Sequence, residues 1–433
     1  MASTRISGSL RALVQKSSKC PRLISAKGRN FHNTTFQSAR PKPRPAPSTR
    51  LRQAQVPIPD LNPNGDKSEI DSFLQRCTNL AEEIKAISIS SATAFEFLRA
   101  FNEHGQNPPV KYIRSLCERF GVSPSNIFAL AIIVNREGPG QGQIIARSLL
   151  NAAASLGDPS AAIHAMHSNT MDTRAQNPLY YREMQAHLAG FVKEDSNPLG
   201  LVAAGNLNEK QGKNDIALKL YERAIVLAQV PENNTMPESS VGLGGTPLLQ
   251  AYIALARVKN SALKDKEGAR AAYEKAAELD SPDAYYHLAL LMDNHASDQY
   301  RDHLLIAASS GYTQAAYRLG LYYLQLKDSD TSSKTALGKN QDERERLALE
   351  WFDLGAAAND KNSIINVILL CKLRSLHVKS QAWLFKIKSS RHLSQDPVIA
   401  EIQRMWEDKN CDLEDFRIFL DQYNKDATKT RPD

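Results

Sequence analysis

From Ser68 onward, apolar residues recur at the three- and four-residue intervals of a helix, in runs of about 10 to 16 residues separated by short polar breaks. No stretch alternates apolar and polar positions as a half-buried strand does, so the pattern predicts an all-α domain. Several starts are marked by an oxygen-bearing cap before a first-turn proline: Ser123-Pro124, Thr246-Pro247, Ser281-Pro282 and Asp396-Pro397. Residues 229–245 and 328–340 carry no helical pattern and read as loops. Residues 40–63 include Pro41, Pro43, Pro45, Pro47, Pro57, Pro59 and Pro63, which forbid helix and predict an extended linker. The longest apolar runs, 127–134 and 364–371, are about two helical turns each. That is well short of the ~18 to 20 residues a membrane helix needs, so no transmembrane segment is expected.

The helical runs repeat. Ala153-Ala154-Ser155-Leu156-Gly157 is followed, eight positions after its first alanine, by Ala161-Ala162-Ile163. Ala307-Ala308-Ser309-Ser310-Gly311 leads likewise to Ala315-Ala316-Tyr317-Arg318-Leu319-Gly320, and Ala276-Ala277-Glu278-Leu279-Asp280 to Ala284-Tyr285-Tyr286-His287. Ala356-Ala357-Ala358-Asn359-Asp360, leading to Ile364, reads as a degraded fourth copy. In that alignment Asp stands in place of Gly at 280 and 360, and Asn366 takes the position of Tyr317. Paired small residues let two helices approach closely, and Gly permits the turn between them.

These segments resemble Sel-one-like repeats, with Ala307 to Tyr322 the best match, and residues 205–225 and 266–279 resemble tetratricopeptide repeats. The resemblance implies an α-solenoid of stacked antiparallel helix pairs behind a disordered N-terminal leader. The expected organisation is a leader over 1–38, a linker over 39–67 and an N-terminal helical section over 68–135. A repeat solenoid over 136–394 and C-terminal capping helices and tail over 395–433 complete it. In such repeats the aromatic position (Tyr286, Tyr317, Ile163) packs inside while its variable neighbours face the inner surface. The resemblance thereby nominates Tyr285, His287, Arg318 and Tyr323 as candidate partner contacts, since aromatics and Arg suit interface centres.

Charge separates the leader from the rest. The first 59 residues hold twelve Lys and Arg and no acid, while the whole chain has a formal net charge of only +7. Ile6, Leu10, Leu13 and Val14 share one helical face, with Arg5, Arg11, Lys16 and Lys19 opposite, as in a mitochondrial presequence. The segment Arg29 to Ser38 resembles the two-step cleavage signal of fungal matrix proteins. That resemblance implies a first cut between Asn30 and Phe31 and a second between Ser38 and Ala39. Removing residues 1–38 leaves 47 basic and 47 acidic residues, a balance that argues against wrapping nucleic acid, though a local basic patch can survive in a neutral total.

Chemistry-bearing motifs are sparse. Gly138-Pro139-Gly140-Gln141-Gly142 and Gly242-Leu243-Gly244-Gly245 do not follow strands and read as turns, not phosphate loops. His164 and His167 lack further ligands nearby, and Cys20, Cys77, Cys117, Cys371 and Cys411 are too scattered for a zinc site. No catalytic residue, cofactor or metal is therefore expected, and the protein is not expected to be an enzyme. The resemblance points to a matrix scaffold for a protein or peptide partner, in the matrix or at the inner membrane. Cytochrome oxidase assembly, or biogenesis of inner-membrane proteins, is the implied setting. The alternative is an RNA- or mitoribosome-associated helical-repeat factor.

Overall fold

The computed structural model describes residues 67–105, 108–138, 141–167, 178–234, 245–326, 340–388, 396–408 and 410–429. Among the described residues there are nineteen α-helices and no strand. The leader with Asn30, Phe31, Ser38 and Ala39, most of the proline linker, and most of both expected loops lie outside the described residues. Within the first of those loops, Pro231–Asn233 forms a short 3₁₀ turn.

The chain divides into two compact units between Ser281 and Pro282. The first holds α1 (Lys67–Glu83), α2 (Ser91–Glu103), α3 (Val110–Phe120), α4 (Pro124–Glu137), α5 (Gln141–Ser155), α6 (Pro159–His167), α7 (Pro178–Glu194), α8 (Pro198–Lys210), α9 (Asn214–Ala228), α10 (Pro247–Ser261) and α11 (Lys266–Glu278). The second holds α12 (Pro282–Leu290), α13 (Asp298–Ser309), α14 (Thr313–Gln325), α15 (Gln341–Ala357), α16 (Lys361–Leu373), α17 (His377–Lys388), α18 (Pro397–Glu407) and α19 (Leu413–Lys429). Within each unit most consecutive helices pack side by side as antiparallel pairs. The expected section boundary at 135 falls inside α4, and the unit boundary falls inside the segment expected to be one array.

Helix starts follow local chemistry. Ser123 Oγ accepts the Asn126 N–H at 3.2 Å, Thr246 Oγ1 accepts from Leu249 N, and an Asp396 carboxylate oxygen accepts from Val398 N at 3.0 Å. No single helix among the described residues is long and apolar enough to cross a membrane. α3 and α4 pass by composition only when taken together, and they are bent by 101°.

The repeat register is set by hydrogen bonds at the turns. At each of four turns, one N–H reaches back five residues to a carbonyl: Asp158 N to Ala153 O, Ser281 N to Ala276 O, Tyr312 N to Ala307 O and Asp360 N to Gly355 O. The preceding N–H reaches back three, closing a Schellman turn around a left-handed residue. Those residues are Gly157, Asp280, Gly311 and Asn359, with φ of 96°, 61°, 96° and 62°.

The fourth copy is therefore Gly355-Ala356-Ala357-Ala358-Asn359, one residue earlier than the alanine pattern suggests. Asn359 does the work of glycine there, because Asn tolerates the left-handed region better than most side chains. Asp360 is instead the cap of α16, accepting Ser363 N–H at 2.7 Å. The corrected partner of Tyr317 is Ile365, which is buried like Ile163, Tyr286 and Tyr317. Ser363 takes the place of Ala161 and Ala315, and its approach to Gly355 is tight: a Cβ added at Gly355 would sit 2.2 Å from Ser363 Oγ.

A Cβ at Gly311 would meet nothing within 4 Å, so its role is conformational alone. Gly311→Ala is expected to destabilise the second unit by about 1 kcal/mol, and Asn359→Gly to be neutral or slightly stabilising. Tryptophan emission in urea measures both, because Trp351, Trp383 and Trp406 all lie in that unit.

The second unit's core runs from Tyr286 to Leu420 and includes Trp351 and Phe352 from α15 and Ile399, Ile402 and Met405 from α18. Gly138 and Gly142 lie against the Phe73 ring, so these two glycines serve close packing.

Candidate functional site

In α12 and α14 the residue after each buried tyrosine turns about 100° around the helix toward the rim of the core. His287 follows Tyr286 and Arg318 follows Tyr317, and both are half-buried. Arg318 Nε donates to the Tyr286 hydroxyl at 3.1 Å, and its guanidinium carbon lies 5.8 Å from the centroid of the same ring. Tyr286 also packs against Tyr312 at 4.8 Å between ring centroids. His287 Nε2 lies 3.5 Å from Asp283 Oδ1 on the same helix, and half-buried Tyr285 meets His303 of α13 at 5.8 Å. His287 and Arg318 thus both meet the Tyr286 ring, His287 at 5.4 Å between ring centroids. Tyr285 instead points about 200° around α12 from His287 and pairs with His303 of α13.

Tyr323 does not join it. Its side chain is 1 % exposed, its hydroxyl is buried without a hydrogen-bond partner, and burial pushes its pKa up to about 12. The reason is that α14 packs between α13 and α15, so more of its circumference is covered than an amphipathic surface helix would bury. Tyr323 fills core.

The same helical face on α16 shows what such a surface accepts. The residue aligned with His287 and Arg318 is Asn366, and the one a turn earlier, aligned with Asp283 and Gln314, is Asn362. Asn366 and Asn424 of α19 exchange amide hydrogen bonds at 3.1 and 2.9 Å, and the Tyr423 hydroxyl donates to Asn362 Oδ1 at 2.7 Å. Phe416 and Leu420 of α19 enter the core beside them. A helix therefore docks on this face of α16 through the polar side chains of Asn362 and Asn366, both buried beneath it, with apolar residues of α19 beside them.

A second polar group, in the first unit, has no motif in the sequence. Arg257 of α10 holds Glu209 of α8 with two of its three guanidinium nitrogens, Nε to Oε1 at 3.2 Å and Nη2 to Oε2 at 2.8 Å. Arg257 Nη2 also donates to Asn206 Oδ1 at 2.7 Å. The Tyr221 hydroxyl of α9 lies 2.7 Å from Asn206 Oδ1 and 2.8 Å from Glu209 Oε2. Burial raises the Tyr221 pKa, so the phenol stays protonated and can donate to one of these oxygens at a time. For Arg257, burial opposes the charged form, but the Glu209 contacts prevail and raise its pKa. The group ties α8, α9 and α10 together. Gly205 completes it, because a Cβ there would sit 2.3 Å from the Tyr221 ring.

The remaining candidates place as follows. His164 is half-buried and burial lowers its pKa, while the His167 side chain lies outside the described residues. Burial raises the thiol pKa of Cys77 to about 12 and of Cys117 and Cys371 to about 11, which keeps them protonated. Among the described residues no group of three or more His, Cys, Asp or Glu is placed to hold a metal.

No family model matches the chain, and no curated protein matches it. Among solved structures it is similar to a protective antigen of uropathogenic Escherichia coli strains described as displaying an SLR fold. The two are 14 % identical over 83 % of this chain and 98 % of that one, with a TM-score of 0.20.

Proposed function

We propose that this protein is a non-catalytic scaffold of the mitochondrial matrix, peripheral to the inner membrane. Its partner would be a protein or peptide, handled during respiratory-complex assembly, with cytochrome oxidase the first candidate. The acid-free amphipathic leader supports the location. The observation that carries the binding role is the seat of α19 on α16. One repeat of the second unit has its Asn362–Asn366 face closed by a helix of the chain itself. The aligned faces of α12 and α14 carry Asp283, His287, Gln314 and Arg318, groups suited to a partner helix or extended peptide.

Arg318→Ala is expected to weaken partner binding about tenfold or more, with at most about 1 kcal/mol lost from the fold. Affinity and urea titrations on the same variant separate the two effects. For the wider role, depletion of the protein should lower assembled cytochrome oxidase selectively. Normal abundance of every respiratory complex would defeat that assignment. Salt-sensitive RNA crosslinks mapping to α12–α14 would replace the protein partner with RNA.

A further inference from the structure

Exposed apolar side chains scattered singly are ordinary on any protein surface. On α17 they are not single. Val378 is 84 % exposed and Phe385 is 76 % exposed, the two most exposed large hydrophobics among the described residues. They lie seven positions apart with exposed Ala382 between, which places all three within about 60° of one helical face. Leu376, just before the helix, is 43 % exposed. The opposite side of the helix is anchored, with Leu384 and Ile387 in the core and Ser380 Oγ donating to Ile368 O at 2.8 Å. Side chains this exposed protrude from the surface; residues that wall a groove are partly covered by its other side.

The stretch of sequence that carries this stripe has charges of one sign. Residues 361–395 contain seven Lys and Arg and no Asp or Glu. Several of the cations are engaged by acids from neighbouring elements: Lys361 by Asp396, Arg374 by Asp342 and Glu345, and Lys379 by Asp353. Lys386 is exposed beside the stripe, its ammonium 4.5 Å from the centroid of the half-buried Trp383 ring, and His377 is exposed on the other flank. The far side of α17 is apolar core and not a polar face, so the helix is not itself amphipathic. What it offers a bilayer is an exposed apolar ridge with a lysine alongside and an aromatic ring at its edge, side chains suited to the headgroup region. We infer that α17 is a membrane-docking helix, which inserts Val378 and Phe385 into an anionic lipid surface while Lys386 contacts lipid phosphates. The inference stands on this face alone and does not depend on the partner-binding role of α12 and α14.

The test uses the full chain and co-sedimentation with vesicles of phosphatidylcholine mixed with phosphatidylglycerol, and of phosphatidylcholine alone. The basic leader is common to all variants, so differences among them report on α17. Val378→Ser/Phe385→Ser is expected to lower partition onto the anionic vesicles about thirtyfold, and Lys386→Glu about tenfold. Both positions are at the surface, so circular dichroism and urea midpoints should match wild type. A Phe385→Trp variant should gain emission that dibrominated lipid quenches, which places this residue in the bilayer. Equal partition of wild type and both variants, or no quenching at position 385, would overturn the inference. So would a concentration-dependent dimer, formed without vesicles and abolished by the double serine variant, because it would assign the ridge to a second copy of the chain.

Discussion

Phe352→Ala is expected to destabilise the unit that begins at Pro282 by about 3–5 kcal/mol, a large share of a typical domain's stability. Phe352 is fully buried, meets the Tyr317 ring at 5.9 Å between centroids with the planes tilted by 45°, and fills the space opened by Gly320, where a Cβ would sit 2.4 Å from its ring. Removing the ring leaves a cavity between α14 and α15 that the helices, held by their Schellman turns, cannot close. The converse change is costly too: Gly320→Ala drives a methyl into a ring with no free space, at about 1–3 kcal/mol. If the two residues form one contact, Gly320→Ala/Phe352→Leu should be more stable than the sum of the single changes. Tryptophan emission in urea reads these variants together with Phe352→Leu, which closes the cycle. Additivity within about 0.5 kcal/mol would show that the contact is not the determinant.

In the first unit the largest expected loss follows Glu209→Ala. Arg257 would keep its charge with its bidentate partner gone, and the Tyr221 hydroxyl would lose one of two acceptors. Breaking a fully buried pair costs about 3–5 kcal/mol and an exposed one about 0–1. The side chains are 20 % exposed for Glu209 and 31 % for Arg257, so about 2 kcal/mol is expected after solvent screening. Glu209→Ala/Arg257→Met should recover part of that loss by removing the stranded cation. Amide exchange across α8, α9 and α10 localises the effect, since the first unit has no tryptophan. A double variant less stable than Glu209→Ala alone would contradict this account.

Much of the helical architecture was legible because its determinants are local. The alanine pairs, the glycine four residues on and the capped prolines all sit within one turn of each other, and each has a backbone reason to be there. The fourth repeat was misregistered for an equally local reason. Ala356, Ala357 and Ala358 offer three equivalent positions, and only the left-handed backbone of Asn359 chooses among them. Helical spacing placed the tyrosines on α14 but not the depth of Tyr323, which depends on how α13 and α15 cover both sides of that helix. Asn206, Glu209, Tyr221 and Arg257 meet from three helices across 51 residues of chain, and no single-helix pattern encodes that. The unit boundary was invisible because the repeat spacing, Ala276 to Ala284, runs straight through it. Nor did periodicity expose the apolar ridge of α17, since Val378 and Phe385 read as core until a helix has been placed.

The proposed role turns most directly on a partner held at the α12–α14 face. Photo-crosslinking tests it, with the reactive residue placed at position 314, where Gln314 is exposed on that face and Arg318 is kept, or at position 306, where Ile306 is exposed on α13. The predicted result is a discrete protein adduct from 314 and none from 306, with the first lost when Arg318→Ala is added. Equal adducts from both positions, or an adduct from 314 that Arg318→Ala leaves intact, would contradict it.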